Sequence, residues 1–475
     1  MRRSLWLVAF AGLVAALVPL PSQAQVPPRD HWFAENDTGH WSKGDHVRID
    51  ESCLSLPKQK QVACSLKAFD KKPFVVIAFV DTGINPYHHD FRAPDFVHHP
   101  SKFVEGYPAK APSLKLAFPK ADASGYEAAR AADDANWKAV KKSKLYWFPG
   151  TRIIGGISVR PYGTSSDSEE RKILDDHGHG TNSASVAAGR YFGSNPTALI
   201  VMVEGLGPAP LEWANSQEWI DIVSNSWGYS TPKLPLDRLD GGLASTRVAT
   251  RRGQSVVFSA GNGATGTMTA PDSDPSIMSS SAGPSWHLTI GAASPVNGQA
   301  HWWHSIPVDV SSFGSKWRAA DGFGVKRTAT RDFGGTSCAA PTTAGVLSAI
   351  IERARIALGD TAGGQRRGQA VAVGKKKLAK GPIKDGVLTR LEAEALVQKT
   401  AFPVPADPEK LREDYAVRPT TPLYYLYQGY GVVHRDSKAL ALKVLLGKKP
   451  LPDRTEVDDY MARADAARNL IFGDP

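Results

Sequence analysis

Three residues far apart in the chain share one local setting. Asp81 closes the apolar run Phe74-Val75-Val76-Ile77-Ala78-Phe79-Val80 and is followed by Thr82-Gly83. His179 stands between glycines in Asp175-Asp176-His177-Gly178-His179-Gly180-Thr181, and Ser337 follows Gly334-Gly335-Thr336 and precedes Cys338-Ala339-Ala340-Pro341. An aspartate, a histidine and a serine are the parts of nucleophilic acyl transfer: a hydroxyl to attack, an imidazole to take its proton, a carboxylate to fix the tautomer and stabilise the imidazolium. The remaining requirement is a donor for the developing oxyanion, and Ala260-Gly261-Asn262-Gly263 offers an amide side chain in a glycine-rich loop. Taken alone, the serine stretch reads equally well as an ordinary Ser/Thr cap on a helix of small residues.

These residues need elements that present them. A serine at a helix start has unpaired backbone N–H groups and the positive end of the helix dipole beside it, and the run Thr342 to Ile351 supplies small residues for close helix packing. The continuous apolar run 74–80 predicts a strand buried on both faces, so Asp81 falls at a strand's carboxyl end, where α/β sheets keep their ligands. Beyond it the alternation is regular. Strands are expected at 198–203, 222–226, 255–260 and 288–292, with helices at about 211–221 and 238–252, the latter stopped by Gly253. A helix is also expected over 124–144. Alternating strands and helices predict an α/β fold, a largely parallel sheet with helices on both faces. The histidines His88-His89, His98-His99, His177 and His179 show no i, i+4 ligand spacing, so no metal is assigned.

The chain has 475 residues, enough for one large core or two to three domains. Residues 1–24 read as a secretory signal: Arg2-Arg3, an uncharged apolar run from Leu5 to Val18, then small residues at Ser22 and Ala24 before Gln25. Pro19 and Pro21 stop that run short of a membrane span, so no stable membrane insertion is expected after cleavage. The formal net charge is +10, and seven basic residues with no acid lie between Thr361 and Lys384. The basicity is thus concentrated in one expected loop, which argues against a nucleic-acid partner. Residues 25–72 form an irregular extension. In an exported chain their Cys53 and Cys64 are the natural disulfide pair, leaving Cys338 as a small buried hydrophobe.

In chain order Asp, His, Ser, with the local patterns Val80-Asp81-Thr82-Gly83-Ile84, His179-Gly180-Thr181 and Gly335-Thr336-Ser337 with Ala340-Pro341, the sequence resembles the subtilisin-like serine proteases, the subtilase family. That resemblance implies a three-layer subtilisin-like domain over 73–445 with an insertion at 92–173, the basic loop at 361–384 and a C-terminal tail at 446–475. It implies Asp81, His179 and Ser337 as catalytic residues and Asn262 as oxyanion donor, with Ser226, Trp227, Gly228 and Gly261 binding substrate. It implies a secreted or periplasmic endopeptidase acting on peptide or protein through an acyl-enzyme, with no cofactor for the chemistry. Many members carry a structural calcium ion; the short stretch between Gly189 and Ala198 leaves out the loop that supplies such a site, so calcium is not placed. Gly429-Tyr430-Gly431-Val432-Val433 resembles the family's closing motif. The matched segments around 226–228 and 260–266 hold no charge, which predicts an apolar residue before the scissile bond unless Asp133, Asp134 or Glu169 supplies a carboxylate from the insertion. A subtilase fold that only binds peptides is the rival reading.

Overall fold

A computed structural model of the chain describes residues 73–93, 96–118, 126–159, 173–228, 240–262, 283–293, 308–314, 317–324, 329–360, 368–374, 376, 378–403 and 428–475. The expected signal peptide, extension and Cys53–Cys64 pair lie outside these residues. Eight parallel strands form the central sheet: β1 (Val76–Asp81), β2 (Ile153–Ser158), β3 (Leu199–Glu204), β4 (Ile222–Asn225), β5 (Ser255–Ser259), β6 (Leu288–Ala293), β7 (Val310–Phe313) and, completing it, the two-residue strand Val432–Val433. Counted across the sheet, β7, β6, β5, β4, β1, β3 and β2 follow that last strand.

β1 is buried along its whole length, and its two faces meet different partners. Ile77 and Phe79 join a core with α3 (His179–Ala188) and α6 (Thr336–Leu358). Val76, Ala78 and Val80 join a second core with Leu211 and Ala214 of α4 (Pro208–Ser216) and Ala249 of α5 (Asp240–Arg252). Cover on both sides is what makes the run continuous rather than alternating. The α3–α6 contact depends on small residues: a Cβ added at Gly345 would stand 2.5 Å from the Ala187 carbonyl oxygen.

Several expected boundaries shift. The interval 92–173 is not simply an insertion, because it contains β2, an edge strand of the main sheet. The helix expected over 124–144 is two short helices, α1 (Tyr126–Ala132) and α2 (Asp134–Lys138), parted at Asp133. Asp133 is buried and accepts from Tyr87 Oη at 2.8 Å and from the Ala117 N–H at 2.9 Å. The basic stretch 361–384 is not all loop either. Following β8 (Trp317–Ala320) and β9 (Thr330–Phe333), strand β10 (Ala370–Val373) pairs antiparallel with β11 (Val387–Thr389). Val371, Ala372 and Ile383 bury apolar side chains there in the core beside α6.

Nor is 446–475 a loose tail. After α7 (Arg390–Thr400) and α8 (Arg435–Leu445), it forms α9 (Thr455–Phe472), whose Val457, Tyr460 and Met461 enter the main core. Arg468 of α9 lies 3.6 Å from Asp309 at the start of β7, both buried. No helix among the described residues is long and apolar enough to cross a membrane.

Candidate active site

Because β1, β4 and β5 are adjacent and parallel, with Val80 level with Asn225 and Asn225 level with Phe258, their carboxyl ends open on one edge of the sheet. Asp81 ends β1, Ser226 follows β4, and Ala260-Gly261-Asn262 follow β5. The two helices of the α3–α6 layer begin at this edge with His179 and Thr336-Ser337.

His179 Nδ1 is 2.7 Å from Asp81 Oδ1. A carboxylate accepts here, so Nδ1 carries the proton and Nε2 of the neutral ring is the acceptor. Asp81 is buried and also accepts from the Thr82 N–H at 2.8 Å and from Ser183 Oγ at 3.0 Å. Burial works to raise its pKa, but the charge and hydrogen bond of His179, with those donors, hold it below the ordinary carboxylate value. His179 is shifted up: burial disfavours the cation, and the charge and hydrogen bond of Asp81, with the charge of Asp175, outweigh it. The close approach of α3 to β1 requires a glycine after the histidine, since a Cβ at Gly180 would lie 2.2 Å from the Gly83 carbonyl oxygen.

Ser337 stands in the first turn of α6 after Gly335, whose φ of 71° is a left-handed conformation. Its hydroxyl donates to the Ser226 carbonyl at 3.1 Å, and Ser226 Oγ donates back to the Ser337 carbonyl at 3.0 Å. The second bond has a cause in the sequence. Pro341, four residues on, lacks the N–H that would take the Ser337 carbonyl within the helix, and Ser226 satisfies that oxygen instead. The structure therefore joins Asp81 to His179 and Ser337 to Ser226, with no hydrogen bond between Ser337 and His179. Asn262 faces the same helix start, its Oδ1 accepting from the Thr336 N–H at 2.9 Å and from Thr336 Oγ1 at 2.8 Å. Trp227 packs edge-on against Phe258 at 5.7 Å, and Gly228 is exposed.

The family model described as the subtilase family matches residues 73–363, from the start of the sheet through α6. The chain belongs to the subtilase family. Membership makes it a serine endopeptidase acting on peptide or protein. Among solved structures, a cold adapted subtilisin-like serine proteinase is similar at 17% identity over 70% of this chain and 84% of that one, with a TM-score of 0.37. No curated protein matches the sequence.

Among the described residues of this subtilase, His88 and His99 are tied into the fold. His88 is buried, its Nε2 2.8 Å from the Ala329 carbonyl and its Nδ1 accepting from the Asp90 N–H at 3.1 Å, and burial lowers its pKa to about 4. His99 uses both ring nitrogens on Ser101 and Ala111. The His177 ring lies 6.1 Å from that of His179. No group of three or more His, Cys, Asp or Glu among the described residues could hold a metal ion. Cys338 is a free, buried thiol whose pKa burial pushes up. Sequence reasoning passed over Asp175. It is fully buried, and its only legible sign was an acid four residues before His179.

Proposed function

We propose that this subtilase is exported by the signal at residues 1–24 and hydrolyses peptide bonds with Asp81, His179 and Ser337 as its triad and Asn262 as oxyanion donor. The observation that carries the reading is the 2.7 Å bond from His179 Nδ1 to buried Asp81, made at the sheet edge where α6 presents Ser337. Rotation about the Ser337 Cα–Cβ bond turns Oγ from the Ser226 carbonyl toward His179 Nε2. As Oγ bonds to the scissile carbonyl carbon, its proton passes to Nε2, and the carbonyl becomes an oxyanion received by the Ser337 N–H and Asn262 Nδ2. The imidazolium then protonates the leaving nitrogen and the C–N bond breaks, leaving Ser337 acylated. Water, deprotonated by His179, adds to the ester, and collapse returns the proton to Ser337 with release of the acid. Every step uses groups of this chain, and no cofactor is assigned to the chemistry.

In this reading the ends of the paired strands β4 and β5 flank the residue before the scissile bond, and Ser226, Trp227, Gly228 and Gly261 there carry no charge. Of the acids weighed from the interval 92–173, Asp133 is committed to Tyr87 and Ala117, Asp134 pairs with Lys138 at 2.7 Å on the surface, and Glu169 lies outside the described residues. The pocket is therefore expected to favour an apolar side chain. A fluorophosphonate probe tests the triad directly, because covalent labelling needs an activated serine. The wild-type chain should label and Ser337→Ala should not; an unlabelled wild type would leave a fold that only binds peptides. Recovery outside the cytoplasm of a chain beginning at Gln25 would support export.

A further inference from the structure

Asp175 accepts five hydrogen bonds, all from residues that flank Asp81 or His179 in the chain. Its Oδ1 accepts from Thr82 Oγ1 at 2.9 Å, the Gly178 N–H at 2.7 Å and the His177 N–H at 3.1 Å. Its Oδ2 accepts from the Thr181 N–H at 2.8 Å and Thr181 Oγ1 at 2.6 Å. Gly178, just before α3, and Thr181 in its first turn bracket His179, while Thr82 follows Asp81 directly. The link is closed from the other side, where Thr82 Oγ1 accepts from the Gly180 N–H at 2.9 Å and the Thr82 N–H donates to Asp81 Oδ1 at 2.8 Å. A carboxylate that only capped α3 would have no need of Thr82.

We propose that Asp175 is the positioning residue of the Asp81–His179 pair, its carboxylate fixing the end of β1 to the start of α3 at the separation the proton transfer requires. The proposal rests on the triad reading above. It assigns Asp175 no contact with substrate, and Ser337 and Asn262 stand on other elements. Among the described residues, the charged and titratable groups around His179 are Asp81 on β1, Arg331 on β9, Asp175 itself and His177 in the adjoining turn. Asp81 and Asp175 favour the imidazolium and Arg331 opposes it. Burial pushes the Asp175 pKa up, and the hydrogen bonds from Thr181, Gly178 and Thr82 pull against it; over the pH range in which Asp175 is ionised, removing its charge moves the acid limb of the pH profile downward, a change that an uncharged structural prop would not produce.

The experiment uses the full mature chain with Asp175→Asn, Thr82→Val and Thr181→Val, each corrected for active sites by burst titration. Asp175→Asn should lower kcat roughly 10- to 100-fold, the scale of about an ångström of misplacement, with KM within about twofold and the acid limb of kcat/KM shifted to lower pH. Thr82→Val keeps the carboxylate, so kcat should fall while the acid limb stays. Wild-type kcat and an unmoved limb in Asp175→Asn, with only a lower melting temperature, would reduce Asp175 to a helix cap and overturn the proposal. If Asp175→Asn does not fold, unchanged kcat in both threonine variants overturns it, and a fall in kcat in Thr82→Val upholds it. Ser337→Ala in the same assay separates the two levels: activity retained there would sink the triad itself, whatever Asp175 does.

Discussion

The amide of Asn262 is held in one orientation, and that makes its contribution measurable. Thr336 offers two donors, its N–H at 2.9 Å and its hydroxyl at 2.8 Å, so the oxygen of the amide must face Thr336 and Nδ2 must point away. In the proposed mechanism the Nδ2 donors serve an oxygen that becomes charged only in the transition state. Removing one such donor costs about 2.7–4 kcal/mol, a range whose reference case is subtilisin itself. Asn262→Leu should therefore lower kcat by roughly 10²–10³ with KM within about twofold. Thr336→Val removes one of the two bonds that aim the amide, worth about 0.5–1.5 kcal/mol, and should lower kcat by roughly 2- to 12-fold. The double variant should be no slower than Asn262→Leu, because Thr336 then has no amide to aim. Steady-state kinetics on one peptide substrate checks all three. A rise in KM at constant kcat, or multiplying losses in the double variant, would refute the oxyanion assignment.

Other consequences follow from the same geometry. In the proposed mechanism neutral His179 is the base, and Asp81 raises its pKa above the ordinary imidazole value of 6.5, so kcat/KM should fall as pH drops through a midpoint above that value. Asp81→Asn should lower kcat by about 10⁴ and shift that midpoint down, since the carboxylate that favours the imidazolium is gone; an unmoved limb in a pH series would contradict this. Away from the site, Arg355 and Asp221 form a fully buried two-pronged pair at 2.7 and 3.2 Å, and Arg355 also donates to the Phe74 carbonyl at 2.6 Å. Asp221→Ala should destabilise the fold by about 3–5 kcal/mol in denaturant titration, and the double change Asp221→Leu with Arg355→Met should cost less, having no stranded charge. For specificity, matched peptides with Phe, Leu or Arg before the scissile bond should show kcat/KM favouring Phe and Leu; a roughly tenfold or greater preference for Arg would require an acid from elsewhere.

What could be read from the chain without its fold was whatever leaves a local mark. β1 shows itself because burial on both faces makes every residue apolar, and the turns at Gly180 and Gly335 show themselves because a close approach or a left-handed backbone demands glycine. β2 hid for the opposite reason. Its Gly155-Gly156 weakens the strand pattern, and the need for glycine is set by Phe148 and Ile173, either of which would stand 2.7 Å from a Cβ at Gly156. Likewise α9 looked like a tail because the core that takes Val457, Tyr460 and Met461 is built by elements far upstream. Asp175 is the sharpest case at the site, since its partner Thr82 is 93 positions away and nothing near either residue announces the other.

The pair Pro341 and Ser226 shows how the two kinds of information combine. A proline in the first turns of a 23-residue helix is locally unfavourable, and it leaves the carbonyl of Ser337 without its helical partner. The parallel pairing of β4 with β1 and β5 brings Ser226 to that carbonyl at 3.0 Å, while its own carbonyl takes the Ser337 hydroxyl at 3.1 Å. The local fault in the helix thus becomes the tether between helix and sheet at the serine that the proposed chemistry requires. Ser226→Ala would keep the Ser226 carbonyl but strand the Ser337 carbonyl, so it should lower the melting temperature and kcat together, whereas an unchanged kcat would show that Ser337 is aimed by the helix alone.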